Sequence, residues 1–516
     1  MVSAAHVLGR VVLVAVLAAY PPDLRAHEDD APRAGNVSRE LIERPLALTD
    51  AAGRMHQKVT TSSSKAQSYY DQGIAYLASY AFVHAARSFH EALRLDPALA
   101  MAHLQLAKAY GNLHAYAEAS RHLARATALA EEHDLGAIER KWIALGTQQQ
   151  DAVRASADQR QAWHEAYRWA IEELISLDPS DPHAWVLRGN AEEAGAWGRG
   201  QAGRLPSAAY YETALRRDPG HLGAHHFLVH SYENVGNHAL AAEHGKIYAA
   251  GAKGVPHAQH MYGHVLPRLG RWQEALEQFE KADALERAYY AAEGISPEED
   301  WHHGHNLHLL GTVQLRLGNV EAAEALFQRA YRLEARDHFA SVRSAPWIEY
   351  LLFRGRLDEA RVAAEEVEAR PSAMARLVGA SLGGQALVSL GRVDEATNAL
   401  QRATKAYADL EEVTQGTFYE PFVPRYSAPF LDTLRGQIAL RGKHPEEGET
   451  MFLEMADALV ANPRIDAWVV GLFHLQRLAE DARRAERPAL AAALEERIRR
   501  IDPDADLGRF QAAASG

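Results

Sequence analysis

The sequence predicts an all-α fold, a right-handed solenoid of about ten stacked helical pairs. Two observations predict it. Small and large apolar residues recur at a period near 34 from Ala66 onward, and a fixed period of that length marks repeated helix–turn–helix units. The chain has 516 residues, 47% of them hydrophobic. That is enough for one long array whose repeats bury their faces on one another. It also has no cysteine, so disulfides, thiolate ligands and cysteine nucleophiles are excluded. The net charge is -13 without a domain-sized basic region, which argues against a nucleic-acid partner.

The elements follow in order. Arg10 precedes a ten-residue apolar run, and Leu24-Arg25-Ala26 ends on a small residue. Residues 1–26 are thus expected to be a secretory signal peptide. The run is too short to span a bilayer, so a periplasmic or secreted chain, off the membrane after cleavage, is expected. Cleavage would leave His27 at the amino terminus, where amine and imidazole together can chelate copper. Residues 27–65 form an arm with Pro32 and Pro45, and Ser64 or a neighbour caps the first helix. Residues 66–516 form the solenoid.

The first unit carries Gly73, Tyr76, Ala85, Phe89, Ala92 and Pro97. These are the packing positions of a tetratricopeptide repeat (TPR) at its spacing. Small residues let two helices approach, the aromatic fills the groove between them, and the proline opens the next helix. A second unit from Ala100 keeps Tyr110, Ala119 and Ala126, and a third ends near Pro182. The fourth has a glycine-rich insertion, GAWGRGQAGRL. The fifth spans about Leu222 to Gly254, the sixth starts at Pro256 and the seventh at Gly304. Between the last two lies RAYYAAEGISPEEDW, placed to cover the inner face. The eighth and ninth follow, then an aromatic loop, GTFYEPFVPRYSAPF, a degenerate tenth with Gly436, and a last pair ending near Asp502. The stack should enclose a deep concave groove.

Thirteen of the 27 histidines fall in the 88 residues from His221 to His308, within repeats at about 222–340. Positions 2, 5, 9 and 12 of each first helix share the stripe that faces the groove. In the fifth repeat these include His226, His230 and Glu233; in the sixth His257, His260 and His264; in the seventh His305 and His308. Neighbouring first helices lie about 10 Å apart, so seven imidazoles and one carboxylate converge. Imidazoles crowded without a cation repel when protonated and need partners when neutral; a metal removes both problems.

Seven imidazoles exceed the four ligands of one zinc. Two metals with three histidines each, and Glu233 as ligand, bridge or base, is the economical count. Copper, as two ions, is the first choice for an imidazole-only set in an exported protein; zinc or iron are alternatives. The expected function is a copper-dependent oxidoreductase with a small-molecule or peptide substrate in the groove. The alternatives are a non-catalytic protein for metal storage or peptide binding, and a dizinc hydrolase, which would ordinarily use more carboxylates. His225 takes a packing position, and His302 and His303 cap the seventh helix or close the site. Asn306 and Glu349 are candidates to orient imidazoles. Tyr69 and Tyr70 are candidates to reach a ligand across the superhelix. Trp347, Tyr232, Tyr262, Tyr289 and Tyr290 pack repeats or wall the site.

The sequence from Met55 to about Leu440 resembles a group of exported bacterial TPR proteins with a histidine-rich groove. The resemblance is carried by MHQKVTTSSSKAQSYYDQG, by His225, His226, His230 and Glu233, and by His260 and His264 followed by LPRLGR. It continues through His305, Asn306 and His308 and the segment from Glu420 and Pro421 to Tyr426. The arm keeps only His56 of that group's richer histidine run. The resemblance implies metal binding and no settled reaction.

Overall fold

The computed structural model describes residues 33–34, 37–154, 158–193, 200–295, 297, 301–333, 342, 344–415, 423–461 and 470–502. The expected signal peptide, His27, Glu420 and Pro421 lie outside the described residues, as does part of each insertion. A two-residue hairpin, β1 (Arg33–Ala34) with β2 (Val37–Ser38), opens the arm and leads into α1 (Arg39–Glu43). Eleven helical pairs follow among the described residues. The first six pairs are α2 (Ser64–Ala78) with α3 (Phe82–Leu95), α4 (Ala100–Asn112) with α5 (Tyr116–Glu132), α6 (Ala137–Arg154) with α7 (Arg160–Leu177), α8 (Pro182–Asn190) with α9 (Leu205–Leu215), α10 (Leu222–Asn234) with α11 (His238–Gly251), and α12 (Pro256–Val265) with α13 (Trp272–Glu293). The remaining pairs are α14 (Trp301–Arg316) with α15 (Val320–Arg332), α16 (Ala345–Phe353) with α17 (Leu357–Glu368), α18 (Ala373–Ser389) with α19 (Val393–Thr414), α20 (Val423–Leu440) with α21 (Pro445–Ala461), and α22 (Val470–Arg484) with α23 (Pro488–Ile501). No described helix is long and apolar enough to cross a membrane.

Local chemistry sets these boundaries. Ser63 caps α2 by accepting from the Ala66 amide (3.1 Å), and Asp181 caps α8 ahead of Pro182 by accepting from His183 (2.9 Å). Within a pair, the small residue of the first helix lies against the aromatic of the second. A Cβ on Gly73 would come within 2.4 Å of the Phe89 ring, and the Gly311–Phe327 contact repeats this. One continuous core runs from Val37 to Val313, and a second from Leu315 to Phe430.

The turn after the first helix of a pair is left-handed. Glycine holds it at Gly236, Gly318, Gly355 and Gly391, with φ of 70–86°. Tyr80 (φ 56°), His114 (φ 62°) and Glu486 (φ 59°) occupy that place in the first, second and eleventh pairs. A left-handed conformation costs a side-chain-bearing residue about 1–2 kcal/mol, so each of these three positions asks for compensation.

The superhelix closes on itself: α10 of the fifth pair touches α2 of the first. The inner face of this half is not an open groove, because the arm runs through it. The Ala51 carbonyl accepts from the Gly254 amide (3.0 Å), the Thr60 amide donates to Glu139 (2.6 Å), and His183 Nε2 meets the His56 carbonyl (3.0 Å). Arg87, 2% exposed, donates to the Arg44 and Pro45 carbonyls and pairs with Glu293 at 3.0 Å. The arm therefore fixes the first, third, fourth, fifth and sixth pairs relative to one another.

Candidate metal centre

α10, α12 and α14 are consecutive first helices, and each turns its histidine stripe inward. His226 and His230 stand one turn apart on α10, and His257 opens α12. Their Nε2 atoms converge: His226 Nε2 lies 3.2 Å from His230 Nε2 and 3.1 Å from His257 Nε2. All three residues are buried, and their nearest ring nitrogens lie within 4.8 Å of one another. Two nitrogens bound to one tetrahedral ion at 2.0–2.1 Å stand about 3.3 Å apart. The observed spacings match that figure closely.

The opposite ring nitrogen shows how these imidazoles are held. His226 Nδ1 is 2.7 Å from the Ala78 carbonyl at the end of α2. A carbonyl only accepts, so Nδ1 carries the proton and Nε2 presents its lone pair. The arrangement recurs at three more histidines. His260 Nδ1 is 3.0 Å from Asn306 Oδ1, and that amide is oriented by donating to the Phe279 carbonyl (3.1 Å). His264 Nδ1 is 2.8 Å from Glu233 Oε1, and His302 Nδ1 is 2.5 Å from Glu286 Oε1. Carboxylate, amide or carbonyl behind an imidazole is what ligating histidines use to fix tautomer and ring angle.

These rings form a second group beside the first. His260 packs at 4.6 Å from His302, 4.8 Å from His305 and 5.7 Å from His264, by ring centroids. His257 links the two groups, 5.1 Å from His302. Burial pushes His226 down to about 4, while burial and neighbouring imidazoles hold His257 and His260 well below the usual histidine range. All three are neutral at pH 7 and available as donors. The donor set fits a metal ion: His226 Nε2 has one lone pair, yet two other ring nitrogens point at it. A single cation would accept from all three.

The sequence-predicted residues divide as follows. His226, His230 and His257 come together as one triad. His260, His264 and His305 join the second group, with His305 partly buried. His308 lies one turn beyond His305 on α14 and is also partly buried. Glu233, expected as ligand, bridge or base, is fully buried and uses one oxygen to orient His264. Among the described residues its Oε2 has no hydrogen-bond partner.

Other expectations are relocated. His302 enters the second group, whereas His303 turns to Glu286 Oε2 at 2.9 Å. Among the described residues Glu349 meets no imidazole; it accepts from Arg477 of α22 at 2.7 Å. Tyr70 is fully buried and donates to Gln57, so it does not reach across the superhelix. His225 faces away, with Nε2 on the Pro219 carbonyl and Nδ1 2.9 Å from His244.

Sequence reasoning missed Glu286 and Tyr80. Glu286 sits one turn past Ala282 on the 22-residue α13, and only that extra length lets it reach the start of α14. Tyr80 crosses from the first pair, with its ring 4.6 Å from His226 and 5.0 Å from His257. An aromatic at a turn position that several other pairs fill with glycine was the available signal.

The family profile described as tetratricopeptide repeat matches residues 305–337. No curated protein matches the chain. Among solved structures, the human IFIT1 dimer with m7Gppp-AAAA is similar over 92% of this chain and 97% of that one, at 15% identity and a TM-score of 0.39. Yeast Tom70 is similar over 84% and 93%, at 13% identity and a TM-score of 0.38. YrrB, a TPR protein with an unusual peptide-binding site, is similar over 39% and 94%, at 19% identity and a TM-score of 0.26. The period, the small–aromatic helix contacts and the profile match together make this chain a helical repeat protein of tetratricopeptide type.

Proposed function

We propose that the inner histidines of the fifth to seventh pairs hold a dinuclear metal centre, and that the protein is an exported copper-dependent oxidoreductase acting on a small molecule. Two observations carry this reading: the Nε2 atoms of His226, His230 and His257 converge, and the Nδ1 atoms of His226, His260, His264 and His302 each face an oxygen. His226, His230 and His257 would hold one ion; His260, His264 and His302, with His305 beside them, would hold the second. Copper is favoured because the donors are imidazoles without thiolate and copper tops the affinity series for such sites. Glu286 supports this, since both of its oxygens stand behind imidazoles. Zinc or iron would use the same donors. When bound, copper supplies one-electron redox chemistry; the chain's own residues set the ligand tautomers, exclude water and hold the rings in place.

A second reading has its own observation. His226, His260 and Glu233 are 0–1% exposed, and a closed ligand shell suits metal storage or a structural role in a peptide-binding repeat scaffold. Metal titration against a competing chelator tests the shared core of both readings. The wild type should take up two equivalents, and His226→Ala and His260→Ala one each. Full uptake by both variants would remove the assignment. Substrate-dependent oxygen consumption by the loaded protein then separates the enzyme from the store.

A further inference from the structure

The arm leaves a partly open cleft on the concave side. A cavity of about 190 Å³ is walled by first helices of the first five pairs and by Met55 of the arm. Its volume falls below the roughly 300–1,000 Å³ of pockets for drug-sized ligands, so it suits a smaller molecule. Most of its wall is apolar, with Leu77, Trp142 and Phe227 among the lining residues. Among the described residues no carboxylate lines it, and Lys108 is the lining residue that carries a fixed charge.

Lys108 is an unusual cation. Its ammonium sits 5.3 Å from the centroid of the Trp142 ring, and among the described residues it has no ion-pair partner. Burial alone pushes its pKa down to about 8, whereas a nearby carboxylate would have held it up. A partly dehydrated ammonium is costly until an anion joins it. The protein is acidic overall, at -13, so a lone inward cation is not a reflection of composition. The cavity also adjoins the histidines, because Tyr80 lines it and packs on His226 and His257.

We propose that this cavity binds a small amphipathic carboxylate, with the carboxylate on Lys108 and the apolar body against Trp142 and Leu77. Binding itself is independent of the metal. That the bound acid is the substrate class of the histidine centre rests on the metal reading above.

The test is calorimetric titration of chelator-treated full-length protein with 3-phenylpropanoate, compared with the uncharged 3-phenylpropanamide. Using the metal-free protein separates failure of this site from failure of the metal centre. The acid should bind and the amide should bind at least about tenfold more weakly, the scale of one lost charged hydrogen bond. Lys108→Met should lose a similar factor, with its helical circular dichroism unchanged, and Lys108→Arg should retain binding. The amide comparison needs no variant, so a misfolded Lys108→Met does not shelter the proposal. No binding of the acid to wild type, equal binding of acid and amide, or full affinity in a folded Lys108→Met would overturn it. So would binding of a peptide C-terminus in place of the small acid.

Discussion

Glu286 stands behind two imidazoles beside the proposed centre. Both of its oxygens accept ring protons, one from His302 and one from His303. Burial raises its pKa, but the two imidazoles outweigh this and hold it below the usual carboxylate range. Glu286→Gln keeps the shape and leaves an NH₂ facing one Nδ1 proton. Metal affinity of the second group should fall by about 10–100-fold, the usual effect of losing such an orienting partner. Affinity at the His226 triad should hold, because its anchor is the Ala78 carbonyl. Chelator competition resolves the two; an equal loss at both groups would contradict their separation. Tyr80 belongs to the same scale. Its left-handed backbone opposes stability, and its ring contacts with the triad are the evident compensation.

Helices place those side chains, so packing far from the histidines should reach them. Gly73 in α2 abuts the fully buried Phe89 ring. Glycine to alanine within a helix ordinarily gains about 1 kcal/mol, but overpacking a core costs about 1–3 kcal/mol. A Cβ within 2.4 Å of the ring makes overpacking win. Gly73→Ala should lower stability in urea unfolding and weaken metal binding at His226, whose anchor is the end of the same helix. A gain in stability would refute this packing account. The same small–aromatic pairs made the fold legible in the sequence, since a 34-residue period cannot be hidden by local variation. The histidine stripe was legible for the same reason, as it follows 3.6-residue periodicity within consecutive repeats. What was not legible depends on contacts between distant pairs. Closure of α10 on α2, the arm inside the superhelix and the reach of Glu286 from α13 leave no periodic trace. The Glu349 expectation failed on that account, because its partner Arg477 is 128 residues away.

The molecule as a whole carries many neutral buried histidines, and this sets its response to acid. Burial pushes His84, His226 and His244 down to about 4 and His474 to about 3. Unfolded, each would titrate near 6.5. Between pH 6.5 and 4 the unfolded chain therefore binds more protons than the folded one, so stability falls as pH falls. The buried carboxyls Glu349 and Asp481 are raised by burial and act in the opposite sense, but the histidines outnumber them. Thermal melts of chelator-treated protein should show Tm flat above about pH 6.5 and falling steadily toward pH 4. A flat profile through that window would mean the imidazoles are solvated. The central claim, that the fifth to seventh pairs form a metal centre, is tested most directly by elemental mass spectrometry of protein purified from its native compartment. The account predicts about two metal ions per chain, copper first, with one lost in His226→Ala and one in His260→Ala. Protein that carries no metal and takes none up on reconstitution would contradict it.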